Sequence, residues 1–328
     1  MHKTKKYLFS LIRIGLAIGL IFYLIKSDSI EWISLSGLLT GWTFVSGAIL
    51  LFIIATIMQS WRLQILINTH NLNLSFYAAI RLTFIGLFFN TYLPGATGGD
   101  LVKIYYASKG NTGYKTEVIT IILLDRFIGL FTLLTIPLIL SPLFFSIIDA
   151  QKTLKGLLWI STIIAITILT IAILGARYDL DNSKILLWAE KKLFFGRELK
   201  RILHTIHFYR NSKWKILQIV CISYLVQILM ISVSLLLANA VISDGADPKM
   251  IILIPLGYLV NTLPVTPGGI GVGEAAMESL FNLFSLQGGA EVILSWRIIM
   301  VLVGIIGLVY YLKGEKKFVS SGENNEPS

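Results

Sequence analysis

The chain has 328 residues, of which 55% are hydrophobic and 14% are charged, against roughly 25% charged residues in ordinary soluble domains. This composition excludes a soluble globular domain, because a core of this size could not bury so much apolar surface. The net charge of +10 comes from basic residues between apolar runs. It therefore indicates membrane topology and contact with anionic lipids of the inner leaflet rather than with nucleic acid.

The apolar runs predict an all-α integral membrane fold with about six full transmembrane helices. The six runs lie near residues 7–25, 41–60, 117–140, 154–176, 215–240 and 290–312. Each is close to the roughly 20 apolar residues that a helix needs to cross a bilayer. The first run follows the basic residues MHKTKK and has no small-residue cleavage site, so it is interpreted as an uncleaved span. Two shorter apolar stretches, 76–93 and 250–263, end in clusters of proline and glycine.

The positions of lysine and arginine predict the orientation, because basic loops stay on the cytoplasmic side. The N-terminus, the C-terminus and the 177–215 loop, with ten basic and four acidic residues, are expected inside. The weakly charged loops 26–40 and 241–249 are expected outside. These assignments agree only if 76–116 and 250–289 each leave the membrane on the side they entered. Both are therefore predicted to be re-entrant hairpins, in a multi-pass protein of the cell membrane.

A single polytopic domain is predicted over residues 1–317. Its 177–214 loop contains apolar residues recurring among lysines and arginines over 183–210, as in an amphipathic helix. That helix would lie on the inner leaflet or pack on the cytoplasmic face of the protein itself, and the pattern leaves both alternatives open. The polar tail, 318–328, is predicted to be disordered.

The two hairpins share an internal repeat, with NTYLPGATGG in the first and NTLPVTPGG in the second. The paired positions are Asn90 with Asn261, Pro94 with Pro264, Gly98 with Gly268, Gly99 with Gly269 and Arg126 with Arg297, at offsets of 170 or 171 residues. Three full spans separate the copies, so the second copy, about 212–312, is expected upside down relative to the first, about 41–140. Inverted repeats with broken helices are typical of transporters. A broken helix survives in a membrane only beside protein or water, which predicts a cavity near the midplane.

Charged side chains lie in or beside the apolar runs, where each costs roughly 2.5–3.5 kcal/mol on insertion scales. They are Arg81, Asp100, Lys103, Asp125, Arg126, Glu274, Glu278 and Arg297. Asp125 and Arg126 project about 100° apart on a helix, so each needs a partner elsewhere. Glu274 and Glu278 share a helix face, where they repel unless a cation, a proton or an arginine intervenes.

We expect Arg126 and Arg297 to converge on the cavity with Glu274 and Asp100. The alternative is that these charges form structural ion pairs that tie the hairpins to the spans, and the two interpretations are compatible. The full set of candidate substrate-binding residues is Asn90, Asp100, Lys103, Asp125, Arg126, Asn261, Glu274, Glu278 and Arg297. The hairpin motif comprises Pro94, Gly98, Gly99, Pro264, Pro267, Gly268, Gly269, Gly271 and Gly273.

The glycine-rich segment PGGIGVGEAAMESLF predicts a flexible loop that leads into a short helix. Exposed amides at a helix start attract anions, and a lipid phosphate is the natural anion at this depth. The segment GGDLVK could serve similarly, with Lys103 as a point charge; the alternative is a tight hairpin tip that binds nothing. Glu274 would repel a nearby phosphate, which favours a headgroup that also carries an amine, or a role in proton coupling.

Several catalytic signatures are absent from the sequence. It has no phosphate-binding G-x-x-x-x-G-K-[ST] motif, no H-E-x-x-H, no G-x-S-x-G and no Cys/His cluster, so no ATPase, metal or cofactor is predicted. The single cysteine, Cys221, excludes a disulfide within the chain. An intramembrane enzyme that uses Asp and Glu as acid and base stays open as an alternative.

The segments PVTPGGIGVGEAA and GATGGDLVKIYYASK resemble the transmembrane domain of the lysylphosphatidylglycerol synthase/flippase family. The P-G-G-x-G-x-G-E block carries most of the resemblance, which covers roughly residues 5–312. A second block, G-G-D-x-x-K/R, matches at Asp100 and at Lys103, where the family often has arginine.

The resemblance implies a domain that moves lipids between leaflets. The best-known members move aminoacylated phosphatidylglycerol and carry a fused soluble aminoacyl-transferase domain, which this sequence lacks; other relatives are linked to polyprenyl-phosphate sugar pathways. The first interpretation is therefore a flippase-like protein for a phospholipid or a polyprenyl-phosphate-linked headgroup. The alternatives are a non-transporting membrane partner of a lipid-modifying enzyme or glycosyltransferase, and an intramembrane enzyme that acts on lipid headgroups.

Overall fold

The computed structural model describes residues 32–70, 72–92, 98–109, 115–177, 209, 212–262, 266, 269–313 and 319–321. Over these residues the chain is almost entirely helical. The helices are α1 (Trp32–Thr40), α2 (Trp42–Thr69), α3 (Phe76–Tyr92), α4 (Gly98–Ser108), α5 (Lys115–Leu140), α6 (Phe145–Ala150), α7 (Lys152–Arg177), α8 (Lys213–Val241), α9 (Met250–Asn261), α10 (Val272–Asn282) and α11 (Gly289–Lys313). A 3₁₀ turn, Ser141–Phe144, joins α5 to α6.

Five of the described helical segments are long and apolar enough to cross a membrane. They are Trp42–Thr69, Lys115–Ala150, Lys152–Arg177, Lys213–Val241 and Gly289–Lys313. They confirm the all-α membrane class and match five of the six predicted spans. The sixth predicted span, 7–25, lies outside the described residues. These helices are apolar around their whole circumference, as expected of helices that face lipid on one side and protein on the other.

Two shorter apolar helices, α3 and α9, fall where the sequence predicts hairpins. The 12 residues of α9 rise only about 18 Å, which is less than the ~30 Å hydrocarbon core. Each short helix is followed by a helix of 11 residues, α4 or α10, and then by a long helix, α5 or α11. The same order of elements therefore occurs twice. The short helix of each half packs against the long helix of the other, α3 against α11 and α9 against α5.

Small residues allow this cross-packing to be close. A methyl group added at Gly307 of α11 would lie 2.0 Å from the carbonyl oxygen of Phe84 in α3. One turn earlier, Gly304 faces the backbone of Phe88. The two helices thus approach backbone to backbone, which is the usual way that membrane helices gain van der Waals contact in the absence of a hydrophobic driving force.

A short two-stranded sheet lies beside the bundle. Strand β1 (Leu72–Leu74) pairs antiparallel with β2 (Val319–Ser321), with Leu72 opposite Ser321. The side chain of Asn68 fixes β1 because its Oδ1 accepts the amide of Leu74 at 2.8 Å. The three residues of β2 belong to the tail for which the sequence predicts disorder, and the structure places them in a paired strand.

The predicted amphipathic segment of the 177–214 loop lies almost wholly outside the described residues. Tyr209, near its end, is buried and donates its hydroxyl proton to the carbonyl oxygen of Leu66 at 2.6 Å. Burial raises the pKa of the Tyr209 phenol, so the group keeps the proton that it donates. This hydrogen bond ties the end of the loop to the last turns of α2.

Candidate functional site

The first charged cluster lies where α3, α4 and α5 meet. Asp100, in the first turn of α4, accepts a hydrogen bond from the Arg126 guanidinium of α5 through its Oδ2. Its other oxygen lies 3.8 Å from Nζ of Lys103, one turn along α4. Asn90, near the end of α3, accepts the amide of Gly99 at 2.8 Å and so holds the start of α4 against α3. We call Asn90, Asp100, Lys103 and Arg126 the first cluster.

Glycines make room for the first cluster. A methyl group on Gly86 would lie 2.3 Å from Cε of Lys103, so the lysine stem passes directly over the α3 backbone at this glycine. A methyl group on Gly99 would lie 1.9 Å from the carbonyl oxygen of Gly86. The G-G-D block is therefore required for the close packing of α4 on α3, which positions Asp100 and Lys103.

The second cluster occupies the corresponding place among α9, α10 and α11. Arg297 of α11 donates from Nε to Oε1 of Glu274 at 2.6 Å and from Nη2 to Oδ1 of Asn261 at 2.8 Å. The other oxygen of Glu274 accepts the amide of Gly271 at 2.7 Å. We call Asn261, Glu274 and Arg297 the second cluster. Each half of the molecule thus joins an asparagine from the short helix, a carboxylate from the 11-residue helix and an arginine from the long helix.

Glycines around the start of α10 are required by backbone conformation and by space. Gly269 and Gly271 have φ angles of +70° and +81°, which other residues rarely adopt. A methyl group on Gly273 would lie 2.3 Å from Oδ1 of Asn261 and 3.2 Å from Nη2 of Arg297. The glycine block thus lets the start of α10 press directly against the asparagine and arginine of the second cluster.

The two clusters differ in charge and in exposure. In the first cluster two cations share one carboxylate, and the Arg126 side chain is 38% exposed. In the second cluster one cation faces one carboxylate, and the Glu274 and Arg297 side chains are 1% and 14% exposed. The charged side chains of the first cluster thus sum to +1 and include a partly exposed arginine, whereas those of the second sum to zero and are mostly buried.

Comparison with known proteins identifies the family. The sequence profile of the lysylphosphatidylglycerol synthase transmembrane region matches residues 10–307. The chain belongs to this family. It is 24% identical to a UPF0104 membrane protein of Pyrococcus horikoshii, over 97% of this chain and 99% of that protein. It is 22% identical to a UPF0104 membrane protein of Archaeoglobus fulgidus, over 94% and 98% of the two chains. No solved structure matches the chain.

In this member of the lysylphosphatidylglycerol synthase transmembrane family, Asp125 does not join the first cluster. It pairs with Arg62 of α2, whose Nε lies 2.7 Å from Asp125 Oδ1 and whose Nη1 donates to Ser223 of α8 at 3.0 Å. Asp125 and Arg126 thus find separate partners, as their angle on the helix predicts. This buried group joins α2, α5 and α8, which is the arrangement expected of a structural ion pair.

Sequence reasoning missed Arg62. The predicted span ends at residue 60, but α2 continues to Thr69, so Arg62 is buried inside the bundle. The signal that could have revealed it is the continued apolar pattern of RLQILI beyond that boundary. Arg81, which the sequence counts among the membrane charges, lies with its guanidinium carbon 5.6 Å and 5.7 Å from the ring centres of Tyr77 and Tyr310.

Glu278 also has a role separate from the second cluster. Its Oε2 accepts the amide of Ala290 at 3.0 Å, at the start of α11. A carboxylate at a helix N-terminus satisfies an orphan amide and interacts favourably with the helix dipole. Glu274 and Glu278 thus share a face of α10, but an arginine engages the first and a helix N-terminus the second.

The predicted anion sites at the two helix starts are partly occupied by the protein's own oxygens. The Gly99 amide is taken by Asn90 and the Gly271 amide by Glu274. A phosphate at either place would compete with these side chains. Of the hairpin motif, Gly98, Gly99, Gly269, Gly271 and Gly273 are described, whereas Pro94, Pro264, Pro267 and Gly268 lie outside the described residues.

Proposed function

We propose that this protein moves lipids with a phosphate headgroup between the leaflets of the cell membrane. The headgroup, of a glycerophospholipid or a polyprenyl phosphate, would enter between the two broken-helix units. Arg126 and Lys103 would contact the phosphate, and both chain termini would lie in the cytoplasm. Family membership supports a membrane domain with a lipid-related role, and the particular activity rests on the residues of the first cluster.

The observation that carries the proposal is the formal positive charge of the first cluster, which includes a partly exposed arginine. Asp100 is shared by Arg126 and Lys103, so the charges of these three groups sum to +1. A phosphate brings negative charge and binds the guanidinium through charge-assisted hydrogen bonds. Arg126 is also the more exposed arginine of the two clusters, so a headgroup can reach it.

The repeated order of elements supports a passage between the two halves. In each half a short apolar helix ends at a break, and the break is followed by an 11-residue helix that carries the carboxylate. We infer that the two units are re-entrant hairpins related by an inverted repeat. In such proteins one half rocks against the other around a site near the midplane. The closed second cluster would then be the counterpart that opens when the first closes.

The carboxylates of the two clusters, Asp100 and Glu274, would have different roles. Both carboxylate oxygens of Glu274 already accept hydrogen bonds, one from Arg297 and one from the Gly271 amide. In this conformation Glu274 would therefore hold the second unit closed. Asp100 lies beside the exposed arginine, so it would meet an amine or a proton that accompanies the phosphate. A zwitterionic or amine-bearing headgroup would thus be tolerated at the first cluster.

The test is leaflet exchange by the purified full chain in liposomes of phosphatidylglycerol and phosphatidylcholine. Fluorescent phosphatidylglycerol in the outer leaflet is bleached by dithionite, and protein-dependent exchange raises the bleached fraction. We expect exchange with the wild-type chain and a loss of about tenfold or more with Arg126→Gln, in line with ~1.5–3 kcal/mol for a hydrogen bond to a charged group. Lys155→Gln, which removes a cation from a surface ion pair with Asp149, is the matched control and should exchange normally.

Three results would count against the proposal. Chemical change of the lipid, detected by mass spectrometry of the liposome extract, would favour an intramembrane enzyme. Neither exchange nor chemical change, with protein correctly inserted, would favour a non-transporting partner of a lipid-modifying enzyme or glycosyltransferase. Equal loss in Arg126→Gln and Lys155→Gln would remove the specific role of the first cluster.

A further inference from the structure

A groove with apolar walls opens between α5, α7 and α8, and no member of the two clusters is among its described lining residues. It encloses about 370 Å³, and its walls include Phe131 of α5, Ile168 and Ala172 of α7, and Ile216 of α8. Among the described residues of the lining, Tyr209 is the polar side chain, and its hydroxyl proton is already donated to the carbonyl oxygen of Leu66. The described part of the lining therefore offers hydrocarbon surface and no free hydrogen-bonding group for a headgroup.

The groove lies at one end of the bundle. On α7 the lining residues lie in the last turns of the helix, and on α8 they lie in the first turns. Trp214, in the first turn of α8, is 71% exposed. Exposed tryptophan is enriched at the boundary between hydrocarbon and headgroups. The mouth of the groove thus lies at headgroup level, on the side of the basic 177–215 loop.

Two cations stand at this mouth. Ile173 lines the groove, and Arg177 follows it four residues later on the same face of α7. Ile216 lines the groove, and Lys213 precedes it by three residues on the same face of α8. Both cations are exposed. The α7 wall and the α8 wall therefore each end in a positive charge, about one helical turn beyond the apolar lining.

From this combination we infer a binding site for one anionic phospholipid of the leaflet on the side of the 177–215 loop. One acyl chain occupies the groove, and the phosphate lies between Arg177 and Lys213. The apolar walls select a hydrocarbon chain, and the paired charges at headgroup level select an anionic lipid over a zwitterionic one. A basic surface patch on its own would not explain the groove beside it. An apolar cleft that faces the lipid would not, on its own, explain the two cations at its mouth.

The site is separate from the proposed translocation route. On α5 the groove residues Leu124, Phe127, Ile128 and Phe131 lie on one helix face. Arg126 projects about 150° from the centre of that face. A lipid in the groove would therefore be a resident of the fold rather than the cargo at the first cluster.

Native mass spectrometry of the full chain, released from micelles with equal phosphatidylglycerol and phosphatidylcholine, tests the site. We expect the wild-type chain to retain one phosphatidylglycerol in preference to phosphatidylcholine. Ala172→Phe fills the groove and should lower the lipid-bound fraction at least about tenfold, since losing contact with only two methylene groups has that effect. Ile163→Phe, on the exposed side of α7 and 61% exposed before substitution, is the matched control and should retain the lipid.

The charge variant Arg177→Gln/Lys213→Gln leaves the groove walls intact, so it decides the question even if Ala172→Phe does not fold. It should lower the preference for phosphatidylglycerol by up to about thirtyfold, given roughly fivefold for each basic residue near an anionic surface. No lipid preference in the wild-type chain, or equal retention by Ala172→Phe and Ile163→Phe, would overturn the inference. Leaflet exchange by the same preparations reports separately on the proposed function.

Discussion

Replacement of Glu274 by glutamine should destabilise the protein strongly, because it breaks a deeply buried ion pair. The Glu274 side chain is 1% exposed, and its carboxylate accepts from Arg297 at 2.6 Å. Removing one partner of a buried pair costs ~3–5 kcal/mol, since the other charge stays in a low-dielectric site. Arg297 keeps its 2.8 Å hydrogen bond to Asn261, so we expect the lower end, about 3 kcal/mol.

Arg126→Gln provides the contrast. The Arg126 side chain is 38% exposed, and Lys103 still faces Asp100 after the change, so solvent and the lysine compensate the carboxylate. We expect a cost of about 1 kcal/mol or less. The two arginine–carboxylate pairs should therefore separate into one that mainly stabilises the fold and one that mainly serves function.

Thermal unfolding in detergent, followed by size-exclusion fluorescence, measures both effects. The midpoint should fall by roughly 6 °C for Glu274→Gln and by about 2 °C or less for Arg126→Gln, at roughly 2 °C per kcal/mol for a chain of this size. The double variant Glu274→Gln/Arg297→Gln should be less destabilised than the sum of its single changes, because it leaves no lone charge. Unfolding of Glu274→Gln at the wild-type temperature, or strict additivity in the double variant, would refute this reasoning.

Three further predictions use the same thermal assay. Arg62→Met should cost ~3 kcal/mol, because it leaves the buried carboxylate of α5 without its cation; an unchanged midpoint would contradict a structural pair. Gly307→Ala should cost ~1–3 kcal/mol, since its methyl group would collide with the Phe84 carbonyl oxygen, whereas Gly156→Ala has nothing within 4 Å and should raise stability by up to ~1 kcal/mol through helix propensity. Tyr209→Phe should cost ~1 kcal/mol through loss of its 2.6 Å hydrogen bond, and a gain in stability would count against that bond.

Composition and run length were sufficient to predict the membrane class and the positions of the long helices. Lipid selects for apolar residues along a whole helix, so a span is visible in the sequence without knowledge of its neighbours. The breaks after α3 and α9 were visible for a similar local reason, since proline and paired glycine interrupt an apolar run. The end of α2 was predicted nine residues too early because Arg62 falls within it, and its buried partner is remote in sequence.

The members of the candidate site were predicted better than their pairing. Asn90, Asp100 and Arg126 were found from the repeat and from the cost of charge in a membrane. That Arg126 pairs with Asp100 of α4, while its neighbour Asp125 pairs with Arg62 of α2, depends on how the helices pack. The capping role of Glu278 likewise depends on the start of α11 lying beside α10, which spacing along the sequence does not determine.

Recognition of phosphate at the first cluster is the central claim, and one measurement tests it most directly. Leaflet exchange of a labelled phospholipid is compared with that of a labelled diglycosyl lipid that has the same acyl chains and no phosphate, in the same proteoliposomes. We expect faster exchange of the phospholipid by the wild-type chain, and loss of that difference in Arg126→Gln. Equal exchange of the two lipids by the wild-type chain would contradict it.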